Sequence, residues 1–291
     1  LKDSKRCTLI LTEGDSAKTT AVAGLSVVGR DYYGVFPLKG KLLNVKDVSQ
    51  KKIQQNEEIN NLIKILGLKY NQEYDTTCSK WDLRYGRIMI MTDQDHDGSH
   101  IKGLVMNLFH THWPSLFKGN FITCLITPIV KCFKGSNEEV FYTLGDYEEW
   151  KNQIDNIKSW RIKYYKGLGT SSTSEAKQYF KTLTTQSYIY EDEASNQHMN
   201  LAFDKSQSNL RKSWLGKFDI NETMDFGKKE VTHAEFINRE LIHFSQADCR
   251  RSISDLRDGL KPSQRKIIYS CLKRNLKGEI KVSQLAGYVS E

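Results

Sequence analysis

The sequence predicts an α/β fold: a parallel sheet with helices on both faces, followed by a mainly helical and strongly basic segment. Three observations carry that expectation. From residue 7 to about 133, short apolar runs alternate with amphipathic stretches, the pattern of strand–helix units in a sheet buried on both sides. Acidic residues stand directly after two of those runs, where strand-to-helix turns belong. Residues 250–281 hold ten Lys/Arg against three acids, so one stretch carries nearly all of the net charge of +8.

The elements follow in order. Residues 8–12 (Thr-Leu-Ile-Leu-Thr) read as a buried strand, then a polar turn and a helix near 17–23. Residues 33–36 are a second strand. From 49 to 66 the positions Ile53, Ile59, Leu62, Ile63 and Leu66 suit one helix, with Gly67 at its C-terminal cap. Residues 87–91 form the next buried strand, and 101–112 read as helix until Trp113-Pro114. Two strands, 121–125 and 129–133, are split by Thr127-Pro128. Residues 134–190 form an α+β extension, with a helix near 146–150, a strand at 161–165 and a glycine turn into a helix at 174–183. Residues 191–230 are polar and irregular apart from a helix near 210–215, as in a linker or insertion. Thr232-His233-Ala234-Glu235 is a capping box that reopens helical structure. Further helices start at Pro262 and Ser283, around a Gly-containing turn, and resemble a helix-turn-helix. The expected divisions are 7–133, 134–190, 191–230 and 231–291.

Composition excludes several classes. No apolar run approaches the roughly 18 residues of a membrane helix, so no membrane partner is expected. Six cysteines without a C-x-x-C pair argue against structural zinc and a secreted disulfide scaffold, and for reduced intracellular thiols. The Asn221-Glu222-Thr223 sequon then carries no meaning. Leu1 in place of an initiator Met, and an end inside a helical pattern, suggest an excerpt of a longer chain. Residues 24–29 have P-loop glycine spacing, but Arg30-Asp31 stands where Lys-Ser/Thr is needed. The basic run attracts a polyanion, duplex DNA being the commonest.

The chemistry concentrates in Asp93, Asp95 and Asp97, which directly follow the strand ending at Met91. Three carboxylates in five residues repel one another unless cations bind them, and hard oxygen ligands select Mg²⁺, Mn²⁺ or Ca²⁺. The spacing matches the first half of a calcium EF-hand loop. Leu104, however, occupies position twelve, where a bidentate Glu is required, and a strand precedes the loop. Glu13, in Glu13-Gly14-Asp15-Ser16-Ala17, follows the first strand. All strand-to-helix turns of a parallel sheet lie at one edge, so Glu13 can meet the aspartates across the fold.

This pairing resembles the Toprim domain, a Rossmann-like fold shared by topoisomerases, bacterial-type primases and some nucleases. The match extends to Pro37-Leu38-Lys39-Gly40-Lys41, to Thr92-Asp93-Gln94-Asp95-His96-Asp97-Gly98-Ser99-His100-Ile101 and to Tyr164-Tyr165-Lys166-Gly167-Leu168-Gly169-Thr170. These look like successive signatures of type IIA DNA topoisomerases, closer to the eukaryotic enzyme than to gyrase. Residues 258–266 (Asp-Gly-Leu-Lys-Pro-Ser-Gln-Arg-Lys) resemble the opening of that family's winged-helix DNA gate, here truncated. Lys39 stands where many relatives carry Arg, and His96 where many eukaryotic relatives have Gln. The resemblance implies a nuclear homodimer that cuts duplex DNA through a 5′-phosphotyrosyl link and passes a second duplex. ATP would be used only by the full-length enzyme. It implies metal ligands Glu13, Asp93, Asp95 and Asp97, with Glu13 also placed to handle the 3′-oxygen proton. Lys166, Lys39 and Lys41 would anchor phosphates near the scissile bond, and Arg265 and Lys266 the duplex backbone. None of the 14 tyrosines matches the family's nucleophile motif, which is expected beyond Glu291. A Toprim nuclease or primase, and a non-catalytic DNA-binding subunit with a structural metal, are the alternatives.

Overall fold

Why the strands lie where they do follows from their side chains. In the computed structural model, which describes residues 3–76 and 81–291, the runs read as buried strands form the centre of the first of two units, Leu1–Ile242. β1 (Thr8–Glu13) pairs in parallel with β2 (Tyr33–Leu38) and β3 (Arg87–Met91), and β3 with β4 (Ile122–Leu125). Ile10, Met89, Met91 and Leu125 point to one face, where Ala17, Ala21 and Leu25 of α1 (Gly14–Val28) cover them. Residues of opposite parity, Leu9, Leu11, Ile88 and Ile90, are equally buried, so both faces are covered. Gly24 has a steric reason: a Cβ there would stand 2.0 Å from the ring of Phe180.

The expected single helix over 49–66 is two, α2 (Gln50–Gln54) and α3 (Glu57–Leu66). The break lies at Asn56, whose carboxamide oxygen accepts the Ile59 amide and caps a new helix. Gly67 ends α3 at φ 81°, as its position suggested. α4 (His96–His112) opens five residues earlier than expected and is buried on nearly every side from Gly98 to Phe109. α5 (Pro114–Lys118) follows.

A second, antiparallel sheet has the order β6–β5–β7, from β5 (Val130–Lys134), β6 (Asn137–Phe141) and β7 (Arg161–Tyr164), beside α6 (Leu144–Gln153). Then α7 (Thr173–Thr182) returns to the main sheet, placing Tyr179 and Phe180 in its core. β8 (Thr185–Ile189) joins β4 antiparallel, and β9 (Glu230–Thr232) extends that edge, so the sheet is mixed beyond its four parallel strands. Their polar sequences hid them. The stretch expected to be irregular apart from a helix near 210–215 holds that helix, α9 (Ser208–Gly216), and before it an unexpected one, α8 (Asp192–Phe203). α8 buries only Ser195, Met199 and Phe203, a stripe too thin to register as a hydrophobic period. The capping box at Thr232–Glu235 opens α10 (His233–Phe236) as expected, and a π-helical turn, Ile237–Leu241, follows.

The second unit, His243–Glu291, is helical throughout its described elements: α11 (Ile242–Ser252), which starts on the last residue of the first unit, α12 (Pro262–Lys273) and α13 (Val282–Ser290). Pro262 is the first residue of α12, where its missing N–H costs nothing. Among the described residues no helix is long and apolar enough to cross a membrane, and five cysteines are free thiols; Cys78 lies outside the described residues.

Candidate metal and phosphate site at the sheet edge

β1 ends at Glu13 because Gly14 turns the chain at φ 74°, a conformation that favours glycine, and starts α1. The parallel register sets Thr12 beside Met91, so the acid loop leaves β3 next to Glu13. The Asp93 amide donates to Glu13 Oε2 at 3.2 Å across 80 residues of sequence. The expected convergence is therefore present at the backbone of the loop.

The aspartates are each held differently. Asp95 is the N-cap of α4, its Oδ1 accepting the Gly98 amide at 2.8 Å. A Cβ on Gly98 would meet the Asp93 carbonyl oxygen at 2.0 Å, so the loop can turn this tightly only with glycine there. Asp97 accepts from Lys41 Nζ at 2.7 Å, and both side chains are partly exposed. Asp93 Oδ1 accepts the Leu168 amide at 2.6 Å. Thr20 of α1 donates its hydroxyl to the Leu168 carbonyl at 3.2 Å, which ties that loop to the first helix. Gly167, at φ 78°, leaves room for the carboxylate: a Cβ there would lie 2.1 Å from Asp93 Oδ2. Sequence reasoning picked Lys166 out of this segment; the backbone contact two residues on was missed.

Burial, with charge crowding behind it, shows in the protonation equilibria. Burial, opposed by the Asp93 amide and reinforced by Asp93, Asp95 and Asp97, pushes the Glu13 carboxyl up to about 7. Burial also raises Asp93, against the Leu168 hydrogen bond and with the help of Asp95. Among the described residues no three His, Cys, Asp or Glu side chains are grouped, as they stand, to hold a metal ion. The reason is local: the aspartates are turned onto Leu168, Gly98 and Lys41. The donor set nevertheless fits a hard divalent cation. All its oxygens are carboxylate, the three aspartates raise the proton affinity of Glu13, and Asp97 accepts from a Lys41 ammonium that a cation can displace.

The loop carrying Lys166 is itself anchored. Glu175, the N3 residue of α7's capping box, accepts from Lys163 Nζ at 2.7 Å, from the Tyr165 hydroxyl and from the Ser172 amide at 2.7 Å. Burial alone would raise its pKa, but Lys163, Tyr165 and Ser172 together hold it at about 2. A depressed carboxyl stabilises the fold above its unfolded value and loses that contribution as pH falls through the folded one. Glu175→Gln should therefore cost about 3 kcal/mol at pH 7. The gap from the parent, followed by denaturant unfolding, should narrow as pH drops from about 4.5 towards 2. A gap unchanged at pH 3 would contradict this anchoring.

The remaining basic residues sort by position. Lys39 is exposed, with Nζ 3.6 Å from Glu57 and its amide on Glu58 at 3.2 Å. Lys166 and His96 are exposed. In the second unit Lys266 is exposed on α12, while Arg265 is paired: its Nε and Nη2 donate to the two oxygens of Asp258 at 2.7 Å each. That fork closes the turn leading into α12. Glu13, Asp93, Asp95, Asp97 and Lys41 are thus gathered at one edge, Lys166 adjoins Gly167, and Arg265 and Lys266 belong to the other unit.

Residues 8–125 match the Toprim domain, 125–249 the C-terminal associated domain of Toprim, and 251–291 the DNA gyrase/topoisomerase IV family. The chain is homologous to the Toprim and DNA-binding cleavage region of type II DNA topoisomerases. Its similarity is to eukaryotic-type DNA topoisomerase 2, specifically to the Toprim and cleavage region. It is 56% identical to the mitochondrial DNA topoisomerase 2 of Dictyostelium discoideum, over 99% of this chain and 23% of the relative. Against human DNA topoisomerase 2-alpha the identity is 52%, over 100% of this chain and 20% of the relative. The crystal structure of the Plasmodium falciparum topoisomerase II DNA-binding, cleavage and re-ligation domain superposes with a TM-score of 0.87 at 49% identity, covering 99% of this chain and 40% of that one. The chain thus spans 19–23% of the length of such curated relatives.

Proposed function

We propose that this chain is the metal-binding and DNA-gate part of an ATP-dependent type II topoisomerase, which breaks duplex DNA transiently through a 5′-phosphotyrosyl link and passes a second duplex. The observation that carries the reading is the meeting of Glu13 with the acid loop, braced by Leu168. Glu13, Asp93, Asp95 and Asp97 would hold Mg²⁺, with Mn²⁺ or Ca²⁺ able to substitute. The ion, when bound, stabilises charge on the phosphoryl group and the departing 3′-oxygen. Glu13, whose carboxyl is pushed up to about 7, is suited to hold and return the 3′-oxygen proton. Lys41 would pass from Asp97 to a phosphate, and Lys39 and Lys166 would meet neighbouring phosphates. Lys266 would contact the duplex backbone directly, while Arg265 would do so from the turn it ties to Asp258.

The nucleophile is a tyrosine beyond residue 291, and ATP is bound by another part of the enzyme. The partners are duplex DNA and a second copy of the protein in a two-fold homodimer. The place of work is intracellular, in the nucleus; one relative is named mitochondrial, so the family serves more than one DNA compartment.

The test is plasmid relaxation by the complete enzyme in the presence of ATP and Mg²⁺. Relaxation with protein-linked 5′ ends is expected; metal-dependent nicking without a covalent adduct would indicate a Toprim nuclease instead. For the DNA surface, Lys266→Glu should weaken duplex binding on every sequence and reduce the slope of log affinity against log salt by about 1–2. Unchanged affinity at low salt would remove Lys266 from the interface.

A further inference from the structure

Glu240 is the only carboxylate among the described residues that is buried, at 6% exposure, and the site described above does not use it. It lies in the π-helical turn Ile237–Leu241, a local widening of the helix that re-aims the side chains after it and recurs at functional sites. Its Oε1 accepts from Lys102 Nζ at 2.8 Å and from the Ser99 hydroxyl at 2.9 Å; its Oε2 is buried with no partner among the described residues. Lys102 is also buried, with the Cys124 thiol beside its ammonium. An isolated ion pair of this kind adds little stability over apolar side chains of the same size, because both charges lose their water. Stability is therefore a weak reason for its presence.

Its placement offers a better one. Ser99 and Lys102 belong to the first two turns of α4, whose cap is Asp95. The Ser99 amide donates to the Asp95 carbonyl at 3.1 Å, and the Ser99 hydroxyl, with one proton to give, lies 3.1 Å from that same carbonyl and 2.9 Å from Glu240. Packing holds the two elements close: a Cβ on Gly103 of α4 would come within 3.3 Å of Leu241 in the turn. Two of Glu240's hydrogen bonds thus end in the first two turns of α4, the helix that Asp95 caps and whose first turn holds Asp97.

We propose that Glu240 is a positioning residue for the divalent-cation site, holding the start of α4 through Ser99 and Lys102 so that Asp95 and Asp97 keep their places. The inference rests on the metal reading above. Partners that orient ligands from outside the coordination sphere are worth about 10–100-fold in metal affinity. The complete enzyme is assayed for the Mg²⁺ concentration giving half-maximal DNA cleavage, alongside duplex affinity and Tm. Ser99→Ala cuts the hydroxyl link and leaves the ion pair in place. Glu240→Leu combined with Lys102→Met removes both buried charges together, so that neither is stranded. Both should raise the Mg²⁺ requirement about tenfold or more, with duplex affinity unchanged and Tm within a few degrees of the parent. Glu240→Gln, which keeps an oxygen for Ser99, should fall between them and the parent. An unchanged Mg²⁺ requirement in Ser99→Ala and in the double variant, whatever happens to Tm, would overturn the inference. Glu13→Gln in the same assay separates the two ideas. Normal cleavage by Glu13→Gln sinks the metal reading itself, whereas its loss beside an unchanged Ser99→Ala sinks only the role of Glu240.

Discussion

Glu13→Gln should reduce Mg²⁺-supported DNA cleavage by about 100-fold or more while leaving the metal-free protein as stable as the parent, or more so. The two effects have one cause. Glu13 faces Asp93, Asp95 and Asp97 in a partly buried edge, and its carboxyl is pushed up to about 7. A folded-state pKa above the unfolded 4.5 penalises the fold as pH rises from 4.5 through about 7. Removing the charge should therefore add about 1–2 kcal/mol at pH 8 in the presence of a chelator, after allowance for solvent screening, and nothing below pH 4.5. The pairing of lost cleavage with gained stability distinguishes a ligand from a structural residue. If Glu13→Gln loses cleavage and stability together, the mutation has only damaged the fold.

Gly167→Ala should be comparably severe although it touches no charge. At φ 78° an Ala side chain is strained by about 1 kcal/mol, and its Cβ would sit 2.1 Å from Asp93 Oδ2. One of the two must move. Because Leu168, next in the chain, donates the hydrogen bond that holds Asp93, moving the loop releases the carboxylate, and moving the carboxylate breaks the bond. A displacement of about 1 Å at a reacting centre costs about 100-fold in rate. Cleavage should fall by that factor at saturating DNA, with duplex affinity little changed. Gly169→Ala is the control, since a Cβ at Gly169 meets nothing closer than Ser16 at 3.7 Å. Equal losses from both substitutions would show that the loop is sensitive to any added bulk and not to the contact with Asp93.

The parts of the fold that could be read in the sequence were those whose signal is local. The strands ending at Glu13 and Met91 announce themselves as unbroken apolar runs, and turn residues in a parallel sheet converge by geometry alone. Gly67, Thr232 and Pro262 speak through backbone rules that need no tertiary context. What was missed depends on the third dimension. β8 and β9 are polar strands recruited by an existing edge, and α8 buries three residues out of twelve. Leu168 acts through its amide, which its side chain does not advertise; the trace left in the sequence is the glycine before it. Arg265 is marked in the sequence as basic in a basic run, but its pairing with Asp258 seven residues earlier is not. Glu240 and Lys102 are 138 residues apart, and nothing in either neighbourhood marks them as partners.

The claim on which the rest depends is that Glu13 and the acid loop share a divalent cation. It is tested most directly by anomalous diffraction from crystals of the complete cleavage core, bound to DNA and soaked in Mn²⁺. The account predicts a peak within about 2.0–2.6 Å of oxygens from Glu13 and from at least one of Asp93, Asp95 and Asp97, lost in Glu13→Gln crystals. An ordered edge with no peak, or a peak held by other residues and indifferent to Glu13→Gln, would contradict it.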